Sequence, residues 1–238
     1  MIDSIPSLVA FLRRFHRLWL KDFMFDPATD LLRPLPGDAV IDPADIPADL
    51  SEGLATIYRE LGPLVEMRLM PGGGRRRPFG TQDALVRLSL LKRIGGMIEF
   101  AFAHQGNWSC RCRTGELDPA VYSNFDGRWT ESQKGFVVVC ESLNHFLITF
   151  CLREAVFSCR NLGLIGADGL PETLVGGKLE PIWLRGQYVY PKTLNDFFAS
   201  RDQTVIVMDE GRLWVGSPVR PLSEILVQGV KVQILQGT

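Results

Sequence analysis

Met97-Ile98-Glu99-Phe100-Ala101-Phe102-Ala103, the turn Gln105-Gly106-Asn107, and the return Trp108-Ser109-Cys110-Arg111-Cys112 decide the fold class. In the return segment Trp108, Cys110 and Cys112 alternate with Ser109 and Arg111. Successive strand side chains point to opposite faces, so this alternation predicts an antiparallel hairpin with one buried face and one wet face. Leu90-Leu91-Lys92-Arg93 leads into it. Asp118-Pro119-Ala120-Val121-Tyr122 introduces another short strand, and Asp126-Gly127-Arg128 marks a further turn. The same signal recurs near the end, where Thr204-Val205-Ile206-Val207-Met208 and Arg212-Leu213-Trp214-Val215-Gly216 flank Asp209-Glu210-Gly211.

Helical periodicity surrounds these strands. In residues 4–25 Leu8, Phe11, Leu12, Phe15, Trp19 and Phe23 recur every three or four positions, with Arg13, Arg14, Arg17 and Lys21 on the other side. A core-packed helix and a membrane-surface helix share that period, and core packing is the reading preferred. A second stripe, Leu50, Leu54, Ile57, Tyr58 and Leu61, is expected to stop at Gly62-Pro63. A third helix is expected to start near Glu141-Ser142 and to run through Phe157. Residues 26–47 hold five prolines and read as an irregular connection with one turn of helix at most. After Cys159 the glycines Gly163, Gly166, Gly169, Gly176 and Gly177 read as a loosened stretch. In the tail Ile182-Trp183-Leu184 and Tyr188-Val189-Tyr190 read as short apolar elements, Leu194–Ala199 as a short helix and Ser223–Leu226 as a closing helical turn. The expected organisation is an α+β domain over 1–162 with an N-terminal helix, followed by a strand-rich extension over 163–238 packed on the same domain.

The chain has 238 residues, 46% hydrophobic and 22% charged, which excludes a disordered or collagen-like polymer. With 26 Lys and Arg against 27 Asp and Glu, the net charge is -1, without the basic excess of a dedicated nucleic-acid binder. No stretch reaches the roughly 20 apolar residues of a spanning helix. The basic residues of the first helix follow its apolar start, the reverse of a secretory signal. Five cysteines, an odd number, then point to reduced thiols in a cytoplasm. Cys110 and Cys112 share a strand face, but no second close pair completes a zinc site. Nucleic acid, membrane, metal and cofactor are therefore not expected among the partners.

The sequence contains no nucleophile elbow and no phosphate-binding glycine loop. Arg75, Arg76 and Arg77 follow Gly72-Gly73-Gly74 in what reads as a solvated loop able to meet an acidic partner. His104, at the hairpin turn beside Gln105 and Asn107, is the best-placed general base by residue type. Trp108, Tyr122, Phe125 and Trp129 cluster in sequence. Aromatic residues of this kind serve either cores or interface hot spots.

Ile46-Pro47-Ala48-Asp49-Leu50, opening a helix through Ile57-Tyr58-Arg59-Glu60-Leu61-Gly62, resembles the start of the SUKH superfamily. The hairpin Phe100–Trp108, the segment Asp118–Tyr122, and Trp129 followed by Ser142-Leu143-Asn144-His145-Phe146-Leu147 resemble its strand pair, its approach to the last central strand and its closing helix. The likeness covers about residues 46–160 and departs at the proline-rich entry and at Gly72–Arg77. It implies an α+β fold with a central, mainly antiparallel sheet and flanking helices. It also implies binding rather than turnover, as in bacterial immunity proteins that neutralise a cognate toxin, often a nuclease or a modifying enzyme. The residues to test first for partner binding are Arg75, Arg76, Arg77, His104, Trp108, Tyr122 and Trp129. Two other readings stand beside this one: an enzyme using His104 and nearby acids, and a structural subunit docking through the N-terminal helix.

Overall fold

A computed structural model describes residues 1–68, 77–125, 135–165, 179–190, 193–226 and 231–236. Among them three helices and two six-stranded antiparallel sheets make the expected α+β class, with two sheets where one central sheet was predicted. Helices α1 (Ile5–Met24) and α2 (Glu52–Glu66) come first. Strands β1 (Asp83–Leu85), β2 (Lys92–Ile94), β3 (Met97–Ala103), β4 (Ser109–Arg113), β5 (Val121–Ser123) and β6 (Val137–Cys140) form the first sheet. β1 and β2 pair with opposite halves of β3, and β3 to β6 follow as a meander. Helix α3 (Leu143–Phe157) then leads to the second sheet. Its strands are β7 (Asn161–Ile165), β8 (Leu179–Gln187), β9 (Leu194–Ser200), β10 (Ile206–Asp209), β11 (Leu213–Ser217) and β12 (Val232–Gln236), in the order β12-β7-β11-β10-β9-β8.

Each helix starts where chemistry favours it. Ser4, Ser51 and Ser142 cap α1, α2 and α3, each accepting a backbone N–H from the first turn. The apolar stripe of α1 is buried except Phe23, which stays exposed. Helix α3 differs in kind: every residue but Asn144 and His145 is buried. A helix apolar on all sides belongs at the centre of a core. The larger of two hydrophobic clusters accordingly runs from α1 and α2 through the first sheet and α3 to Tyr188, Phe197, Ile206 and Met208 of the second half, and the smaller gathers Val205, Val207, Val215 and Leu222 within that half.

Three expectations are corrected. Helix α2 runs through Pro63 to Glu66, because Leu64, Val65 and Met67 are buried and their packing outweighs the hydrogen bond that Pro63 removes. Gly62 is not a cap: a Cβ there would stand 2.6 Å from Ile41, so glycine permits close packing. Leu194–Ala199 is strand rather than helix, since Asn195, Phe197 and Ala199 point inward at period two. The stretch at Gly163 is not loose but is strand β7 between β11 and β12, where a Cβ would lie 2.7 Å from Leu222 and from Val232. The proline-rich entry holds one short 3-10 turn, Pro43–Asp45, and the closing helical turn is Leu222–Glu224.

The core contains charge. Arg153 of α3 ion-pairs with Glu210 and donates from Nη1 to Asn195 at 2.9 Å. Its guanidinium lies 4.5 Å from the Tyr188 ring centroid. Tyr188 donates its hydroxyl to Asp83 at 2.6 Å, and Trp214 donates to Glu210 at 2.8 Å. Next along α3, buried Glu154 accepts backbone N–H groups from Thr81 at 3.0 Å, Gln82 at 3.3 Å and Asp83 at 2.9 Å. Burial, and then the neighbouring Asp83, push Glu154 up to about 8. His16 of α1 is also fully buried, between Phe15, Trp19 and Phe79, with neither ring nitrogen partnered. Burial lowers its pKa to about 3.

These two groups shape stability against pH in opposite senses. His16 titrates at 6.5 when unfolded and about 3 when folded, so its contribution is full above pH 6.5 and is lost as pH falls toward 3. Glu154 titrates at 4.5 unfolded and about 8 folded, so its contribution is full below pH 4.5 and is lost as pH rises toward 8. Together they predict a plateau between pH 4.5 and 6.5 with a decline on either side. Urea unfolding across pH checks this: His16→Phe should flatten the acid limb and Glu154→Gln the alkaline limb, and an unchanged slope in either variant contradicts the assignment. Arg153→Met, which strands Glu210, should cost about 3–5 kcal/mol in the same assay at neutral pH.

Candidate functional site

Cross-strand register assembles a surface that no single segment contains. Glu99 lies between buried Ile98 and Phe100, Arg111 between buried Cys110 and Cys112, and Tyr122 between buried Val121 and Ser123. Alternation therefore sends Glu99, Arg111 and Tyr122 to the outer face of the first sheet. Register aligns them in one row: Lys92 opposite Glu99, Glu99 opposite Arg111, Arg111 opposite Tyr122, and Tyr122 opposite Val138. The row reads cation, anion, cation, aromatic, aliphatic. Lys92 and Val138 are exposed and the middle three are half-buried.

The middle of the row is held in place. Arg111 donates through Nε at 3.2 Å and Nη2 at 3.1 Å to one oxygen of Glu99, which also accepts the Ser109 hydroxyl at 3.1 Å. The Arg111 guanidinium stacks 3.9 Å from the centroid of Phe136. Exposed Ile94, opposite Met97, extends the face at the β2 end. This side of the sheet thus presents ordered charge beside exposed apolar surface, a composition suited to recognition.

Of the residues singled out from sequence, Tyr122 stands in this row. His104 is exposed at the β3–β4 turn, beyond the end of β3. Trp108 faces inward, 2% exposed, with its ring edge-on to Tyr188 at 5.8 Å, and so serves the core. Arg77 is committed to its own backbone surroundings, donating to the Met67 carbonyl at 3.0 Å and the Gly80 carbonyl at 3.4 Å. Arg75, Arg76 and Trp129 lie outside the described residues. All five cysteines are buried thiols. Burial pushes Cys112 up to about 12 and Cys110 and Cys151 well above the usual thiol range, which leaves them as packing groups rather than nucleophiles. Among the described residues, no His, Cys, Asp and Glu side chains gather as a metal site, and no helix is long and apolar enough to cross a membrane.

Sequence reasoning missed Glu99 and Lys92 as surface partners, and noticed Arg111 only as the polar alternate of two cysteines. The available signal was that same alternation, extended to the neighbouring strands once their register is known.

A double-mutant cycle on Glu99→Ala and Arg111→Ala should give a coupling of about 0.5–1 kcal/mol by urea unfolding, the range for a half-exposed cross-strand pair. A coupling indistinguishable from zero would mean the pair is not ordered in solution. No family model matches this chain, and neither a curated protein nor a solved structure does.

Proposed function

We propose that the chain is a non-enzymatic partner-binding protein of the SUKH immunity type, which blocks a cognate bacterial toxin by covering its working surface. The observation that carries this reading is the row Lys92, Glu99, Arg111, Tyr122 and Val138 on the outer face of the first sheet. Alternating charges give a partner a unique register and penalise wrong ones. Tyr and Arg are the side chains that most often dominate binding energy. Arg111 is already fixed by Glu99 and Phe136, so little side-chain entropy is lost when it is covered. A rigid blocking face also works without a cofactor. The resemblance over residues 46–160 supplies the toxin as the class of partner. A cytoplasmic site of action belongs to the same reading.

The test is affinity capture from the native cells with the wild-type chain and with Arg111→Ala/Tyr122→Ala, followed by an activity assay of the captured partner. The reading expects one stoichiometric partner with toxin activity, inhibited by the wild-type chain. It expects the double variant to bind about 100-fold more weakly while still unfolding cooperatively, with its thermal midpoint lowered by only a few degrees. Equal binding and inhibition by the double variant, or no stoichiometric partner at all, would remove it.

A further inference from the structure

The row on the outer face of the first sheet has a regular pitch. It crosses five neighbouring strands, β2 to β6, with one residue on each. Neighbouring strands lie about 4.8 Å apart, so the row from Lys92 to Val138 is about 19 Å long. An extended chain laid along it repeats on one face every 6.7 Å or so, and by the fifth contact it is about 8 Å out of step. An α-helix offers one side chain per turn, about every 5.4 Å. Its mismatch over the same row is about 2.4 Å, which long polar side chains absorb.

Polar atoms along the row are open to a partner. Among the described residues Lys92 has no ion-pair partner, whereas its neighbour Arg93 is taken by Asp49 at 2.6 Å. Arg111 reaches Glu99 through Nε and Nη2 alone, which leaves Nη1 for another acceptor. The donors that meet Glu99 all converge on Oε2, which leaves Oε1 for another donor. The Arg111 and Glu99 side chains keep 21% and 19% of their surface exposed, so both atoms are within reach of a docked chain.

The order cation, anion, cation discriminates among partners. A polyanion would set a charge against Glu99 in the middle of the row. A helix answers the order with an acidic side chain at i against Lys92, a basic one at i+4 against Glu99 Oε1, and an acidic one at i+7 against Arg111 Nη1. An acidic residue four places before a basic one also favours the helix itself. Positions i+11 and i+14 continue the same stripe, with a polar residue beside Tyr122 and an apolar one on Val138, which is 42% exposed.

We propose that the partner occupies this face with a single α-helix of about four turns, laid across the strands, whose inward stripe reads acidic, basic, acidic, polar, apolar. The inference rests on the outer row being the binding face, and it narrows what the row accepts.

The test titrates the full chain with three capped synthetic peptides and follows backbone amide signals by NMR. The first is an alanine-rich helix with Glu, Lys, Glu, Gln and Leu at the five stripe positions. The second is the same helix with its charges exchanged to Lys, Glu, Lys. The third carries the first peptide's five side chains at alternate positions of a threonine-rich extended chain. The proposal expects the first peptide to shift amides of Lys92, Glu99, Arg111 and Tyr122 saturably, at least about tenfold more tightly than either of the others. Lys92→Glu, an exposed change, should weaken the first peptide about threefold and strengthen the second. No saturable shift with the first peptide, equal affinity for the two helices, or tightest binding by the extended chain would each overturn the proposal. The toxin-blocking reading fails separately. A captured and inhibited partner beside a failed titration leaves that reading standing, and a successful titration without a captured partner keeps the helix and removes the toxin.

Discussion

Everything in this molecule hangs on the burial of α3. Its sequence, Leu143-Asn144-His145-Phe146-Leu147-Ile148-Thr149-Phe150-Cys151-Leu152-Arg153-Glu154-Ala155-Val156-Phe157, has no polar face to give to water. Elements must therefore cover it on every side: α1 and α2, the first sheet through β6, and the second sheet through β8, β10 and β11. Phe100 and Tyr188, from opposite halves of the chain, both pack on Phe146, with ring centroids 5.8 Å and 5.5 Å away. The hydrophobic gain of such a helix is large only if both halves are present. The two sheets are thus tied to each other through a common neighbour.

The same burial explains the polar network. A helix with no solvent face must bury whatever charged residues it carries, and Arg153 and Glu154 are the two in question. A buried polar or charged group without partners is costly, so the surroundings supply Glu210 and Asn195 to Arg153, and the backbone N–H groups of Thr81 to Asp83 to the Glu154 carboxyl. Such networks add little net stability compared with an apolar core, but they penalise any arrangement that misplaces a partner. Here they set how the second sheet and the entry to β1 seat on α3. In the proposed reading, recognition falls to the outer row of the first sheet, which faces away from α3.

The sequence revealed the elements whose period is unmixed. The β3–β4 and β10–β11 hairpins, the start of α3 at Ser142 and the stripe of α1 all show clear local patterns. It misled where a residue serves a distant partner. Asn195 looks like a surface residue because its inward position is dictated by Arg153 and the Gly186 carbonyl. Gly163 looks like slack because its missing side chain makes room for Leu222 and Val232. The site was legible only in part for the same reason. Tyr122 and Arg111 could be assigned to a wet face from alternation alone. Their meeting with Glu99, Lys92 and Val138 depends on pairings among five strands, a long-range property that local pattern does not encode. The aromatic cluster mixed two destinies, with Trp108 and Phe125 turned into the core and Tyr122 turned out.

The central claim is that α3 joins both sheets into one cooperative body, on which the outer row is carried. Native-state hydrogen exchange measured against urea tests it most directly. The account predicts that amides of β3 and β4, of α3, and of β9 and β10 converge on one global opening free energy. Two well-separated opening energies, with the second sheet exchanging while α3 and the first sheet stay protected, would contradict it.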